Sequence, residues 1–154
     1  MGILKIELTR GFVTQVDRID EGLVSDLNWW ACGRAPHIYA ASGHNYKGKK
    51  QVYLHRLITG ALPHQKVDHI NGNTLDNRRA NLRLCSHAQN MRNRKAQKNS
   101  SRKYKGVGKN KTCATFTASA GGKYIGSFKT AEEAARAYDA KAKDLWGEFA
   151  RTNF

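Results

Sequence analysis

The chain has 154 residues, of which 27 are Lys or Arg and 12 are Asp or Glu, giving a formal net charge of +15. That length holds one ordinary domain or two small ones with thin cores, and that charge points to a polyanionic partner. No run approaches the roughly 18 apolar residues of a membrane span, and neither an apolar signal core nor a long basic amphipathic helix is present, so no membrane partner is expected.

Met1-Gly2 begins like a myristoylation signal, but Ile6 stands where Ser or Thr is wanted. Cys32, Cys85 and Cys113 are odd in number and far apart, without a CxxC pair. They argue against a disulfide frame or zinc ribbon and fit a reducing, cytoplasmic setting. A zinc site on Cys85 and His87 would lack two further close ligands. The basic excess is uneven. Residues 1–50 carry 7 basic and 5 acidic side chains, 51–95 carry 8 and 2, and 96–154 carry 12 and 5. The polyanion should therefore meet the last two thirds of the chain.

The first segment reads as short strands. Ile6 and Leu8 alternate, Thr9-Arg10-Gly11 makes a turn, and Phe12 to Val16 runs back. Trp29 and Trp30 are expected to pack here. Asn45-Tyr46-Lys47-Gly48 looks like a hairpin connection into a strand over Gln51-Val52-Tyr53-Leu54. Residues 1–54 thus form a supporting sheet.

Val67-Asp68-His69-Ile70 reads as a strand, Asn71 to Asn81 as a polar loop, and Leu82-Arg83-Leu84-Cys85 as a second strand. Ser86 opens a helix, with Gln89 completing a capping box. Residues 96–102 are polar and aperiodic, a linker. Beyond it Tyr104–Val107, Cys113–Ala118 and Lys123–Phe128 are candidate strands, the last two joined through Gly121-Gly122. Thr130 with Glu133 starts another helix, in which Ala131, Ala134, Ala135, Tyr138, Ala142 and Leu145 recur at helical spacing. Its small face would let it lie close on a three-stranded sheet, and Gly147 would stop it.

Asp68 and His69 are adjacent. Neighbouring strand residues face opposite ways, so both serve one site only where the backbone leaves the sheet, at Asn71-Gly72. Asp68 offers a carboxylate to a hard cation such as Mg²⁺, Asn90 a neutral oxygen, and His69 an imidazole that accepts a proton near neutral pH.

The run VDHINGNTLDNRRANLRLCSHAQNMRNR, with LHRLI upstream, resembles the HNH endonuclease family, closest to its phage-type homing subset. The resemblance implies an α+β fold in which residues 1–95 form the nuclease domain, with a ββα-metal core over about 55–95. It implies hydrolysis of phosphodiester bonds in double-stranded DNA. His69 would be the general base, Asn81 the central orienting residue, and Asp68 and Asn90 the ligands of Mg²⁺ or another divalent cation such as Mn²⁺. Many relatives have His where this chain has Asn90. His55 matches a recurrent position, either touching phosphate or fixing the core. Arg78, Arg79, Arg83, Arg92 and Arg94 flank the site and are expected to hold phosphates. Asn71, Asn73 and Asn77 are read as loop-turn residues, and His37, His44, His64 and His87 as surface or packing residues.

Residues 103–154, through their KYIGSF and TAEEAARAYDAKA runs, resemble the Apetala-type, ethylene-response-factor DNA-binding domain. That resemblance implies a three-stranded sheet lying in the major groove. Lys105 takes the place of the usual first-strand Arg, Lys109 and Lys111 sit in the next basic turn, and Thr112 and Cys113 replace the usual Trp and Arg. Tyr124 occupies the third-strand Trp position, beside Lys123. Lys reads bases less well than Arg, so firm phosphate contact with relaxed sequence choice is expected. The competing reading is a non-catalytic DNA-binding protein that uses the HNH core as scaffold. The paired surface aromatics of single-stranded RNA binders are missing. No protein partner is evident.

Overall fold

The computed structural model describes residues 2–43, 51–94, 103–110 and 112–154. The expected hairpin connection at 45–48, the linker 96–102 and Lys111 lie outside them. The chain divides into two compact units, residues 1–87 and 88–154, both built of strands and helices as an α+β chain should be.

In the first unit, β1 (Ile3–Glu7) and β2 (Val13–Asp17) form an antiparallel hairpin through a 3₁₀ turn at Thr9–Gly11. Thr14 and Val16, two apart on β2, are both fully buried, so one face of the hairpin is the core face. A short helix α1 (Glu21–Val24) precedes a sheet of β3 (Trp30–Arg34), β4 (His37–Ser42) and β5 (Val52–Tyr53). Trp29 is buried and its indole N–H donates to the Val24 carbonyl at 3.0 Å; Trp30 is half-buried.

The strand expected over Gln51–Leu54 is shorter than its sequence suggests. Leu54 begins helix α2 (Leu54–Thr59) instead. A helix gathers Leu54, Leu57 and Ile58 on one face against the core, where a strand would send Leu57 to the other side. Gly60 ends α2 in the left-handed conformation (φ 63°).

Next come β6 (Lys66–His69) and β7 (Leu82–Cys85), an antiparallel pair with Asp68 opposite Arg83 and His69 opposite Leu82. The loop between them is stitched to β2. The Gln15 amide donates to the Leu75 carbonyl at 2.9 Å, and the Asn77 amide donates to the Gln15 carbonyl at 2.8 Å. Leu8, Val16, Val24, Trp29, Leu54, Ile58 and Leu82 share this unit's core.

The second unit begins at Ala88, within α3 (His87–Arg92), and continues with β8 (Val107–Lys109), β9 (Phe116–Ala120) and β10 (Lys123–Phe128). The three strands form an antiparallel sheet with β9 central, and α4 (Ala131–Trp146) packs on it. β10 lies where expected. β9 starts three residues later than Cys113 because a turn closed by the Asn110 amide on the Thr115 carbonyl takes up that stretch. Tyr104–Lys105 likewise precede β8, with the chain turning at Gly106 (φ 75°). A Cβ at Gly106 would fall 1.9 Å from the Tyr138 ring, so only glycine lets α4 seat its tyrosine there.

The helix start is a capping box: Thr130 Oγ1 accepts from the Glu133 amide, and Glu133 Oε2 from the Thr130 amide, each at 3.2 Å. Ala134, Ala135 and Ala142 are fully buried, the close approach that a small face permits. Leu145 is exposed and Trp146 packs on the sheet in its place. Past Gly147, Asp139 accepts from the amides of Asn153 and Phe154 and folds the C-terminal residues back onto α4.

Candidate nuclease site

His69, at the end of β6, is buried, and its ring sits in a cluster with Tyr39, Tyr53 and His55. Its Nε2 lies 3.1 Å from Asn77 Oδ1. Burial disfavours the imidazolium and holds the His69 pKa below the ordinary histidine value, although Asn77, Asp68 and Asp76 oppose the shift. The ring is thus neutral near pH 7, the form that accepts a proton. His55, on α2, is also neutral: burial and the nearby His69 push it to about 3. Its Nδ1 is buried without a hydrogen-bond partner among the described residues.

Asp68 is buried, and its Oδ2 accepts from Arg83 Nε at 2.9 Å and from Arg83 Nη2 at 2.7 Å. The sequence groups Arg83 with the phosphate contacts. The pairing register instead sets it against Asp68, with little of its side chain exposed, and a buried carboxylate needs such a partner. The Asp68 carboxylate is a hard oxygen donor. The donor chemistry therefore suits Mg²⁺ or Mn²⁺, completed by water and phosphate oxygens rather than by a protein cage. Among the described residues no group of three or more His, Cys, Asp or Glu forms such a cage.

Asn81 is buried and holds the loop. Its Oδ1 accepts from the Asn71 amide at 2.9 Å, its Nδ2 donates to the Asp76 carbonyl at 2.7 Å, and its carbonyl accepts from the Ile70 amide at 2.9 Å. It thereby ties down the chain directly after His69. Asn90 is half-buried on α3, in the second unit.

Residues 50–92 match the HNH endonuclease family. A protein of Acanthamoeba polyphaga mimivirus named an uncharacterized HNH endonuclease is 37% identical over 115 residues, covering 69% of this chain. The chain spans 58% of that relative's length. No solved structure matches. The HNH segment thus contains β5 from Val52 on, α2, β6, β7 and α3, and with them His55, Asp68, His69, Asn81 and Asn90.

The basic residues expected on DNA divide into two groups. Arg78 makes a two-pronged pair with Asp76, each contact 2.7 Å, and Arg79 pairs with the fully buried Asp20 while its amide donates to Asp17 at 2.8 Å. Lys105 Nζ donates to the carbonyls of Arg92 and Arg94, capping the end of α3, and burial lowers its pKa. The Arg92 guanidinium lies over the Trp146 ring. Arg78, Arg79, Arg83, Lys105 and Arg92 thus have contacts within their own unit. Arg94, Lys109 and Lys123 are exposed, as is Tyr124, whose hydroxyl is 3.0 Å from Ser127 Oγ. Register places Gly108, Thr117, Ser119, Tyr124 and Ser127 on the sheet face away from Val107 and Ala118, so that face is polar but uncharged.

Two residues of this site have no signal of their own in the sequence. Asn77 reads as a loop residue yet touches His69, and Thr14 lies 55 positions earlier on β2. The run DNRRAN contains two asparagines, and only the fold separates the one beside the ring from the one that staples the loop.

Proposed function

We propose that this protein is a divalent-metal-dependent endonuclease that hydrolyses phosphodiester bonds of double-stranded DNA. The observation that carries the reading is a buried, neutral His69 held through Nε2 by Asn77 and following Asp68 in β6, within a segment matching HNH endonucleases. With Nε2 engaged by Asn77, His69 takes the proton from the attacking water at Nδ1. Asn81 keeps the loop after His69 in place, so the ring meets the scissile phosphate in a fixed orientation. Asp68 supplies the carboxylate for the cation; Asn90, in the second unit, is a ligand by the sequence resemblance alone. A bound divalent cation stabilises charge on the phosphate and on the leaving oxygen.

In residues 103–154 the exposed Lys109 and Lys123 are assigned to phosphate contact, with Tyr124 on the opposite, outer face of the sheet, and Lys111 is assigned with the two lysines from sequence. A phage-borne, homing-type role and a cytoplasmic setting rest on the sequence resemblance and the cysteine pattern. Arg83 facing Asp68 favours the second reading, a DNA-binding scaffold without activity, because a guanidinium competes with a cation for that carboxylate. Supercoiled plasmid incubated with protein and Mg²⁺ or Mn²⁺, with and without chelator, separates the two. Nicked or linear product that disappears with chelator supports the nuclease; plasmid that is bound but intact under every condition supports the scaffold.

A further inference from the structure

Four groups in the first unit form a continuous hydrogen-bonded chain. The Thr14 hydroxyl lies 2.8 Å from the Leu75 carbonyl oxygen, Asn77 Nδ2 lies 2.7 Å from Thr14 Oγ1, and Asn77 Oδ1 lies 3.1 Å from His69 Nε2. Thr14 and Asn77 are fully buried and His69 nearly so. Each link has a direction that hydrogen accounting settles. A carbonyl oxygen only accepts, so Thr14 must give its single hydroxyl hydrogen to Leu75. Its oxygen can then only accept from the side-chain amide, so Nδ2 of Asn77 faces Thr14. Oδ1 is left toward the imidazole, and because an amide oxygen only accepts, Nε2 must carry a hydrogen. A neutral ring with Nε2–H has its lone pair on Nδ1.

We propose that Thr14 is a positioning residue for the nuclease reaction: through the amide of Asn77 it fixes the tautomer of His69, so that Nδ1 is the proton-accepting nitrogen. Without the hydroxyl, the Asn77 amide is free to turn over and present Nδ2 to the ring. A donor at that place selects the other tautomer, with its lone pair buried against Asn77 and a hydrogen on Nδ1. The nuclease thereby draws a determinant of its base from the N-terminal hairpin, outside the matched segment 50–92. The backbone ladder between β2 and the loop, through Gln15, Leu75 and Asn77, holds the hairpin and the loop in register.

The consequence for cleavage rests on His69 being the general base; the tautomer itself does not. Two measurements keep these apart. In ¹⁵N-labelled protein, two- and three-bond correlations between ring nitrogens and ring protons distinguish the tautomers, and loss of one set in His69→Gln assigns the residue. Wild type is expected to show Nε2–H. Thr14→Val, close in shape but without the hydroxyl, is expected to show Nδ1–H or a mixture, and Thr14→Ser the wild-type pattern. In the cleavage assay Thr14→Val should lose about tenfold or more in kcat, up to the roughly 10⁴-fold that a wrong histidine tautomer costs a hydrolase. KM for DNA should hold, and Thr14→Ser should recover the rate. An Nδ1–H tautomer in wild type overturns the proposal, and that spectrum is readable even if Thr14→Val fails to fold. A folded Thr14→Val with the wild-type spectrum and rate overturns it as well. If the wild-type spectrum shows Nε2–H but no variant cuts DNA, the nuclease reading fails and the assignment of the tautomer stands.

Discussion

His55 lies edge-on to His69, the ring centroids 5.3 Å apart and the planes at 71°. Two buried imidazoles this close cannot both be charged at low cost, and each is held below its ordinary pKa, His55 at about 3. Both bind protons more readily in the unfolded chain, near pH 6.5. Stability is therefore fully present above that pH and falls as the pH drops from about 6.5 toward 3, by about 1.4 kcal/mol per pH unit for each group titrating. His55→Phe keeps the ring packing and removes one of the two protons, so its stability should fall less steeply with acid. Denaturant unfolding of both proteins across this pH range checks the slope.

Arg83 and Asp68 give a test that separates holding the site from holding DNA. Arg83→Met leaves a buried carboxylate without its guanidinium, a change that costs about 3–5 kcal/mol when a buried pair loses one member. A phosphate contact would instead show as a change of about 0.9 in the log–log salt slope of DNA binding. The expected result is a large loss of thermal stability, with the salt slope of the folded protein unchanged.

Lys105 and the pair Lys109 and Lys123 should behave oppositely. Lys105 is engaged with the carboxyl end of α3, so Lys105→Met should cost about 1.5–3 kcal/mol of stability, the range for a hydrogen bond to a charged group. The double change Lys109→Ala with Lys123→Ala should leave stability alone and flatten the salt slope by about 1.8. Salt titrations and thermal melts of the two variants decide it.

Gly106→Ala should unfold the second unit or strongly destabilise it, because the added methyl would overlap the Tyr138 ring and φ is positive there. Circular dichroism melts against wild type measure the loss. A variant as stable as wild type would mean that Tyr138 does not pack on this turn.

What the sequence displays is local. The β6 and β7 strands, the α4 capping box, its alanine face and the Gly147 stop are each written in residues a few positions apart, and the structure has them where periodicity and turn chemistry place them. Asp68 and His69 stand out because an acidic residue beside a histidine is chemically conspicuous. The partners of the site are harder to read. The contact of Asn77 with His69 requires the loop to lie along β2, and that pairing joins positions some sixty residues apart with no periodic mark. Arg83 likewise looks like any basic residue of a DNA-binding surface until the hairpin register sets it opposite Asp68. Helix α2 was hidden for another reason: six residues after a two-residue strand are too few for either period to dominate.

The most direct test is single-turnover cleavage of pre-bound duplex DNA by wild type and His69→Ala in Mg²⁺, with affinity measured alongside. Wild type should cut only with the cation present. His69→Ala should bind DNA equally well and cut at least about 10²-fold more slowly, the least that removing a general base costs. A His69→Ala protein that cuts within about tenfold of wild type would contradict the assignment of the base and the account built on it.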